Sequence, residues 1–165
     1  MNNLKNLLTK QLQVHRIPKW VFVSIVTLSL VGFSVATYLT VEHFRNVVPP
    51  CAIGGCETVL TSKYSEVFGL PVSLLGSLYY LLVLASVLVF FDAKSEKIKD
   101  LCVKGILLLS VVAAVVSLFY IALMLFVIKA ICIYCMISDT ISIVMLIIMC
   151  RAVYMAYDKS VVTYE

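Results

Sequence analysis

The sequence predicts an all-α integral membrane protein, one domain over residues 1–165, built as a four-helix bundle with a cap of loop and short helix at one end. Three observations predict it. Hydrophobic residues make up 62% of the chain and charged residues 13%, with a mean hydropathy of +1.07; an ordinary soluble domain is about a quarter charged. Four apolar runs are each long enough to cross a hydrocarbon core about 30 Å thick, which takes roughly 20 helical residues. The basic residues, finally, are divided unequally between the ends of those runs. They are scattered in ones and twos, so the net charge of +4 reflects loop bias across a membrane and no nucleic-acid partner.

The four spans are approximately residues 20–41, 71–91, 105–127 and 131–150. The first is too long for the apolar core of a signal peptide and no small-residue cleavage site follows it, so it reads as a retained helix. Pro71 falls in the first turn of the second span, where a missing N–H costs least. Lys129 alone separates the third and fourth, which demands a tight turn. Gly32 with Ala36, and Ala113 with Ser117, have the small-xxx-small spacing that lets helix backbones approach closely in lipid.

Orientation follows from Lys and Arg. Lys5, Lys10, Arg16 and Lys19 precede the first span, Lys94, Lys97, Lys99 and Lys104 lie between the second and third, and Arg151 and Lys159 follow the fourth. Only Arg45, Lys63 and Lys129 fall on the other side. Both termini are therefore expected in the cytoplasm, with residues 42–70 and the Lys129 turn outside.

Four of the six cysteines then lie on the outer face as two close pairs. Cys132-Ile-Tyr-Cys135 opens the fourth span, and residues three apart on a helix lie close enough for a disulfide to open and close with little backbone movement. The helix N-terminus and Lys129 place positive potential beside this pair. Cys51-Ala-Ile-Gly-Gly-Cys56 follows Pro49 and Pro50 in the outer segment, where Gly54 and Gly55 permit a small ring to close. An oxidising compartment makes both pairs candidates for thiol–disulfide exchange. Buried apolar thiols and a four-cysteine metal site are the competing readings. Cys102 and Cys150, at the cytoplasmic ends, read as reduced packing residues, and His15 and His43 as solvated or headgroup-level side chains without a metal constellation.

With these residues in place, the chain resembles the vitamin K epoxide reductase family in its bacterial disulfide-forming branch. The resemblance runs through Cys51-Ala-Ile-Gly-Gly-Cys56-Glu-Thr-Val-Leu-Thr-Ser62, then Phe68-Gly-Leu-Pro-Val-Ser-Leu-Leu-Gly76, and ends in Cys132-Ile-Tyr-Cys135. A second disulfide-generating family with four helices carries its CxxC in the first outer loop, the opposite arrangement. The resemblance implies a thiol:quinone oxidoreductase in a bacterial cytoplasmic (inner) membrane. Cys51 and Cys56 would be a shuttle pair and Cys132 and Cys135 the redox pair beside a quinone of ubiquinone, menaquinone or vitamin K type. Ser62, Phe68, Ser73, Cys135 and Asp139 are the expected quinone contacts, and no metal is implied.

Some family members carry a fused thioredoxin-like domain. Only about fifteen residues follow the fourth span here, so the expected partner is a separate extracytoplasmic thioredoxin-like disulfide oxidase, with membrane lipid around the bundle. Physiological reduction of a quinone or vitamin K epoxide would use the same relay and stands as the alternative activity. Two positions depart from animal members, which place a hydrogen-bonding asparagine where Val72 stands and can carry a tyrosine where Asp139 stands. Asp139 shares a helix face with both cysteines of the pair. An ionisable group within a span is by default a functional candidate, here as a proton donor to the quinone or as a helix fastener.

Overall fold

The computed structural model describes residues 18–51 and 55–162, with side chains through residue 155. Lys5, Lys10, His15, Arg16, Gly54 and the side chain of Lys159 lie outside that description. Four helices have the length and composition of membrane spans: α1 (Lys19–Phe44), α3 (Val72–Asp92), α4 (Glu96–Ala122), extended by a π-helical turn over Leu123–Ile128, and α5 (Ile133–Val162). Between α1 and α3 lie the short helix α2 (Cys56–Leu60) and the two-residue strands β1 (Glu66–Val67) and β2 (Leu70–Pro71).

Each long helix runs past at least one end expected from hydropathy, although α3 and α5 begin one and two residues inside the expected start. α4 begins nine residues before Gly105, because Glu96, Lys97 and Lys99 are good helix formers that continue the helix beyond the hydrocarbon boundary, with Lys99–Glu96 and Lys104–Asp100 ion pairs along it. At 1.5 Å per residue, the 21 residues of α3 span about 32 Å, the thickness of a hydrocarbon core. Pro71 is the cap residue just ahead of α3 and not part of its first turn. Its fixed φ suits the extended entry into the helix.

The helices form a square in which α1 packs on α3 and α5, and α4 packs on α5 and α3. Val21, Ile25, Ala36, Tyr80, Val83, Val103, Ile106 and Met145 fill its centre, while Leu88, Leu101, Val115 and Phe126 stand exposed on the outside. Those outward residues are as apolar as the core, as expected of helices surrounded by lipid. Gly32 and Ala36 lie at the α1–α3 seam, where a Cβ on Gly76 would rest 3.7 Å from the Ala36 methyl. Ala113 and Ser117 behave differently: they border a cavity, so their small size makes room rather than close contact.

The cap is more regular than a loop with one helix. β1 and β2 pair antiparallel, Glu66 opposite Pro71 and Val67 opposite Leu70. The turn between them needs positive φ at both positions, met by Phe68 at 54° and Gly69 at 77°. His43 Nε2 and Glu66 Oε1, 3.1 Å apart, hold this hairpin against the end of α1, and the Tyr120 hydroxyl donates to the Tyr64 carbonyl at 3.3 Å. The cap is thus tied to α1 and α4 over the open end of the bundle.

Candidate functional site

Both cysteine pairs meet at the capped end. Pro49 and Pro50 lead the chain into Cys51, and Gly55 caps α2 so that Cys56 is its first residue. Cys51 and Cys56 are joined by a disulfide, their Cα atoms 5.9 Å apart. Opposite them, the π turn ends at Lys129, whose φ of 54° reverses the chain, while the Ala130 amide donates to the Met124 carbonyl at 3.2 Å. A π turn is a common irregularity at functional sites. The reversal delivers Cys132 to the start of α5, where the Met136 amide donates to the Cys132 carbonyl at 3.0 Å.

Cys132 and Cys135 are free thiols. Their sulfurs lie 2.6 Å apart, and the Cys135 backbone N–H donates to the Cys132 sulfur at 3.3 Å. This is the geometry in which a pair can open or close on one helical turn. Cys56 and Cys132 are both fully buried and share one apolar cluster with Val59 and Met124. Cys51 and Cys135 are only partly buried and flank that cluster. The inner member of the loop pair is therefore buried in the same cluster as the first member of the helix pair.

Beneath the cap lies a cavity of about 1030 Å³, at the upper end of ordinary small-molecule sites. Of the four paired cysteines only Cys135 borders it. Leu39 and His43 of α1 enter its wall, with Ser73, Tyr79 and Tyr80 of α3, Val116, Ser117 and Tyr120 of α4, and Ser138, Asp139 and Ser142 of α5; Ser62 to Val67 form its roof. The walls are mainly apolar with a few polar groups. Asp139 lies one helical turn beyond Cys135, with Ser117 as the polar side chain within reach of its carboxyl. The Tyr80 hydroxyl sits 2.8 Å from the Ser138 carbonyl and 3.1 Å from both the Ser138 and Ser142 hydroxyls.

The structure brings Ser62, Ser73, Cys135 and Asp139 to this one cavity. Ser62 donates to the Val59 carbonyl at 2.8 Å, and Ser73 receives the Thr40 hydroxyl at 3.0 Å. Each oxygen keeps further hydrogen-bonding capacity toward the cavity. Phe68 is the exception. It sits fully exposed at the hairpin tip and outside the cavity wall, because the two-residue turn points its side chain away from the bundle. Cys150 is exposed and so is no packing residue, while Cys102 is half-buried against the core.

Sequence reasoning passed over Tyr79, Tyr80, Tyr120, Ser138 and Ser142, read Ser117 only as a small residue for helix packing, and read His43 as a solvated or headgroup-level side chain. The available signal was polar side chains inside apolar runs, which in a membrane face the bundle interior more often than lipid. Ser138, Asp139 and Ser142 show it most clearly, as three polar positions on adjoining faces of one span.

Four helices of membrane-spanning length, with two cysteine pairs and a cavity at one end, define a multi-pass membrane protein equipped for thiol chemistry. The sequence model of the vitamin K epoxide reductase family matches residues 23–150, and the chain belongs to that family. Compared with curated proteins, the chain matches none. The family consists of membrane thiol and quinone oxidoreductases that use quinones as electron carriers and generally work with thioredoxin-like partners.

Proposed function

We propose that this protein reoxidises a separate thioredoxin-like dithiol protein on the outer face of a bacterial cytoplasmic membrane and passes the electrons to a lipid quinone, thereby sustaining disulfide formation. The observation that carries the reading is the order of the sulfurs: Cys51 is partly accessible, Cys56 and Cys132 are buried together, and Cys135 alone borders the cavity.

A partner thiolate attacks Cys51, opening the Cys51–Cys56 bond and releasing the Cys56 thiolate; the second partner thiol displaces Cys51, so the partner leaves as a disulfide. Cys56 then attacks Cys132 of an oxidised Cys132–Cys135 pair and expels the Cys135 thiolate. Attack of Cys51 on Cys56 restores the loop disulfide and leaves Cys132 and Cys135 as a dithiol. Two electrons and two protons must leave that dithiol as Cys132–Cys135 re-forms, and a quinone bound in the cavity would accept them and become a quinol.

A quinone in the cavity supplies the two-electron acceptor. The apolar walls suit its ring and the start of its tail, and Ser62, Ser73 and Asp139 offer polar contacts for its oxygens. Asp139 lies within one helical turn of Cys135, placed to relay a proton that quinone reduction would consume. Cys51 and Cys56 are bonded to each other, which favours exchange over metal retention.

The test is reduction of a soluble quinone by dithiothreitol with purified protein, together with mass spectrometry of lipid that copurifies. Quinone-dependent turnover that is lost in Cys135→Ser, and a bound lipid quinone, are the expected results. Turnover that survives in Cys135→Ser would overturn the assignment.

A further inference from the structure

Gly55 packs directly on the backbone of Ile131. A Cβ built at Gly55 would lie 2.5 Å from the Ile131 carbonyl oxygen, 2.7 Å from its nitrogen and 3.1 Å from its carbonyl carbon. The φ of Gly55 is −102°, open to any residue, so glycine stands here for space and not for backbone freedom. The atoms it meets are main chain and cannot rotate aside as a side chain could. Each partner in this contact immediately precedes a buried cysteine, Gly55 before Cys56 and Ile131 before Cys132.

A second contact closes the other side of the loop ring. The Tyr134 hydroxyl, from within the CxxC, donates to the Pro50 carbonyl at 3.0 Å, and Pro50 immediately precedes Cys51. The Tyr134 ring is braced by Tyr38 of α1, with centroids 5.7 Å apart. The segment carrying the helix pair thus contacts the loop at the residue before each of its cysteines, Pro50 just outside the ring and Gly55 just within it.

We infer that Gly55 and Tyr134 are positioning residues that clamp the loop pair onto the helix pair, setting the register for exchange between Cys56 and Cys132. The inference rests on the relay proposed above and adds what aligns it. A side chain at position 55 must push α2 from Ile131 by on the order of 1 Å to reach ordinary contact, and a misplacement of that size at a reacting atom costs roughly 10²-fold in rate. Loss of the Tyr134 hydroxyl removes one hydrogen bond, and so costs from about twofold to about tenfold.

The experiment traps the exchange. In Cys135→Ala the Cys132 thiolate attacks the Cys51–Cys56 disulfide at Cys56, forming Cys56–Cys132 and releasing the Cys51 thiol, with no external oxidant needed. Alkylating that thiol with N-ethylmaleimide makes the step irreversible, and non-reducing peptide mapping gives its rate. Adding Gly55→Ala to Cys135→Ala should slow the trap roughly 10²-fold, and adding Tyr134→Phe from about twofold to about tenfold. Gly105→Ala, where a new Cβ meets nothing within 4 Å, should leave the rate unchanged. With Cys135 present, Gly55→Ala should retain dithiothreitol-driven quinone reduction, because a small thiol reaches the helix pair without the loop.

A Gly55→Ala trap forming at the parental rate overturns the clamp while leaving the relay standing. Parallel loss of dithiothreitol-driven turnover in Gly55→Ala also overturns it, since the residue would then hold the whole capped end and not the register. Absence of any Cys56–Cys132 bond in Cys135→Ala alone removes the relay itself and the clamp with it.

Discussion

The ring of Tyr80 occupies the space that a side chain would need at Gly32, where a Cβ would lie 2.5 Å from the Tyr80 Cε1 atom. From that seat against α1, the Tyr80 hydroxyl reaches across to Ser138 and Ser142 of α5. One fully buried side chain thereby joins three helices at the wall of the cavity. Gly32→Ala should overpack this joint and destabilise the protein by about 1–3 kcal/mol. Tyr80→Phe keeps the ring and should cost less, about 0.6 kcal/mol for each interhelical bond lost. Thermal unfolding in detergent micelles measures both; a Gly32→Ala protein as stable as the parent would show that the ring has room to retreat.

The four paired cysteines should divide into two phenotypes. Cys132→Ala and Cys135→Ala are expected to abolish quinone reduction by any thiol. Cys51→Ala and Cys56→Ala should block a thioredoxin-like protein substrate yet spare dithiothreitol. Steady-state assays with each reductant separate the cases, and equal loss of both activities in all four variants would count against a shuttle pair distinct from the cavity pair.

The proposed orientation, for which the uneven distribution of Lys and Arg is the argument, puts the capped end on the outer face. After reduction of intact cells, a membrane-impermeant maleimide should label Cys51 or Cys56 and leave Cys102 and Cys150 unlabelled until the membrane is broken. Labelling of Cys150 from outside would reverse the orientation and remove the oxidising location of both pairs.

Asp139 lines the same cavity as Cys135, one helical turn away. If its carboxyl delivers a proton to the bound quinone, Asp139→Asn should keep the fold and the bound lipid but slow turnover by roughly 10²- to 10⁴-fold, the range of general acid catalysis. As a mere fastener to Ser117, it would tolerate Asn nearly silently, and Asp139→Leu would chiefly lower the unfolding temperature. Turnover at saturating quinone distinguishes the two, and parental turnover in Asp139→Asn would exclude the proton donor.

The spans were legible because hydropathy is a local property, read residue by residue along 18 or 20 positions. Their ends were less so. Charged residues such as Glu96 and Lys97 stop a hydropathy window but not a helix, so α4 extends well beyond its apolar stretch. The hairpin was missed because two strands of two residues carry no period to detect. Phe68 shows the opposite error: it lies in a stretch that resembles the family, but a two-residue turn directs its side chain outward.

The sequence by itself determined the membrane class, the four spans, the two cysteine pairs and the family, because each depends on composition or on residues close together in the chain. Only the tertiary structure decided that Tyr80, Ser117 and Ser142 belong to the cavity wall beside Cys135 and Asp139. These depend on how each helix is rotated about its own axis. In a soluble bundle an amphipathic pattern reveals that rotation. Here lipid is as apolar as the core, so a leucine gains little from facing inward and the pattern fades. Inside and outside are then chosen by close packing and interhelical hydrogen bonds, as at Gly32 with Tyr80 and Gly55 with Ile131, between residues too far apart in sequence for local spacing to report.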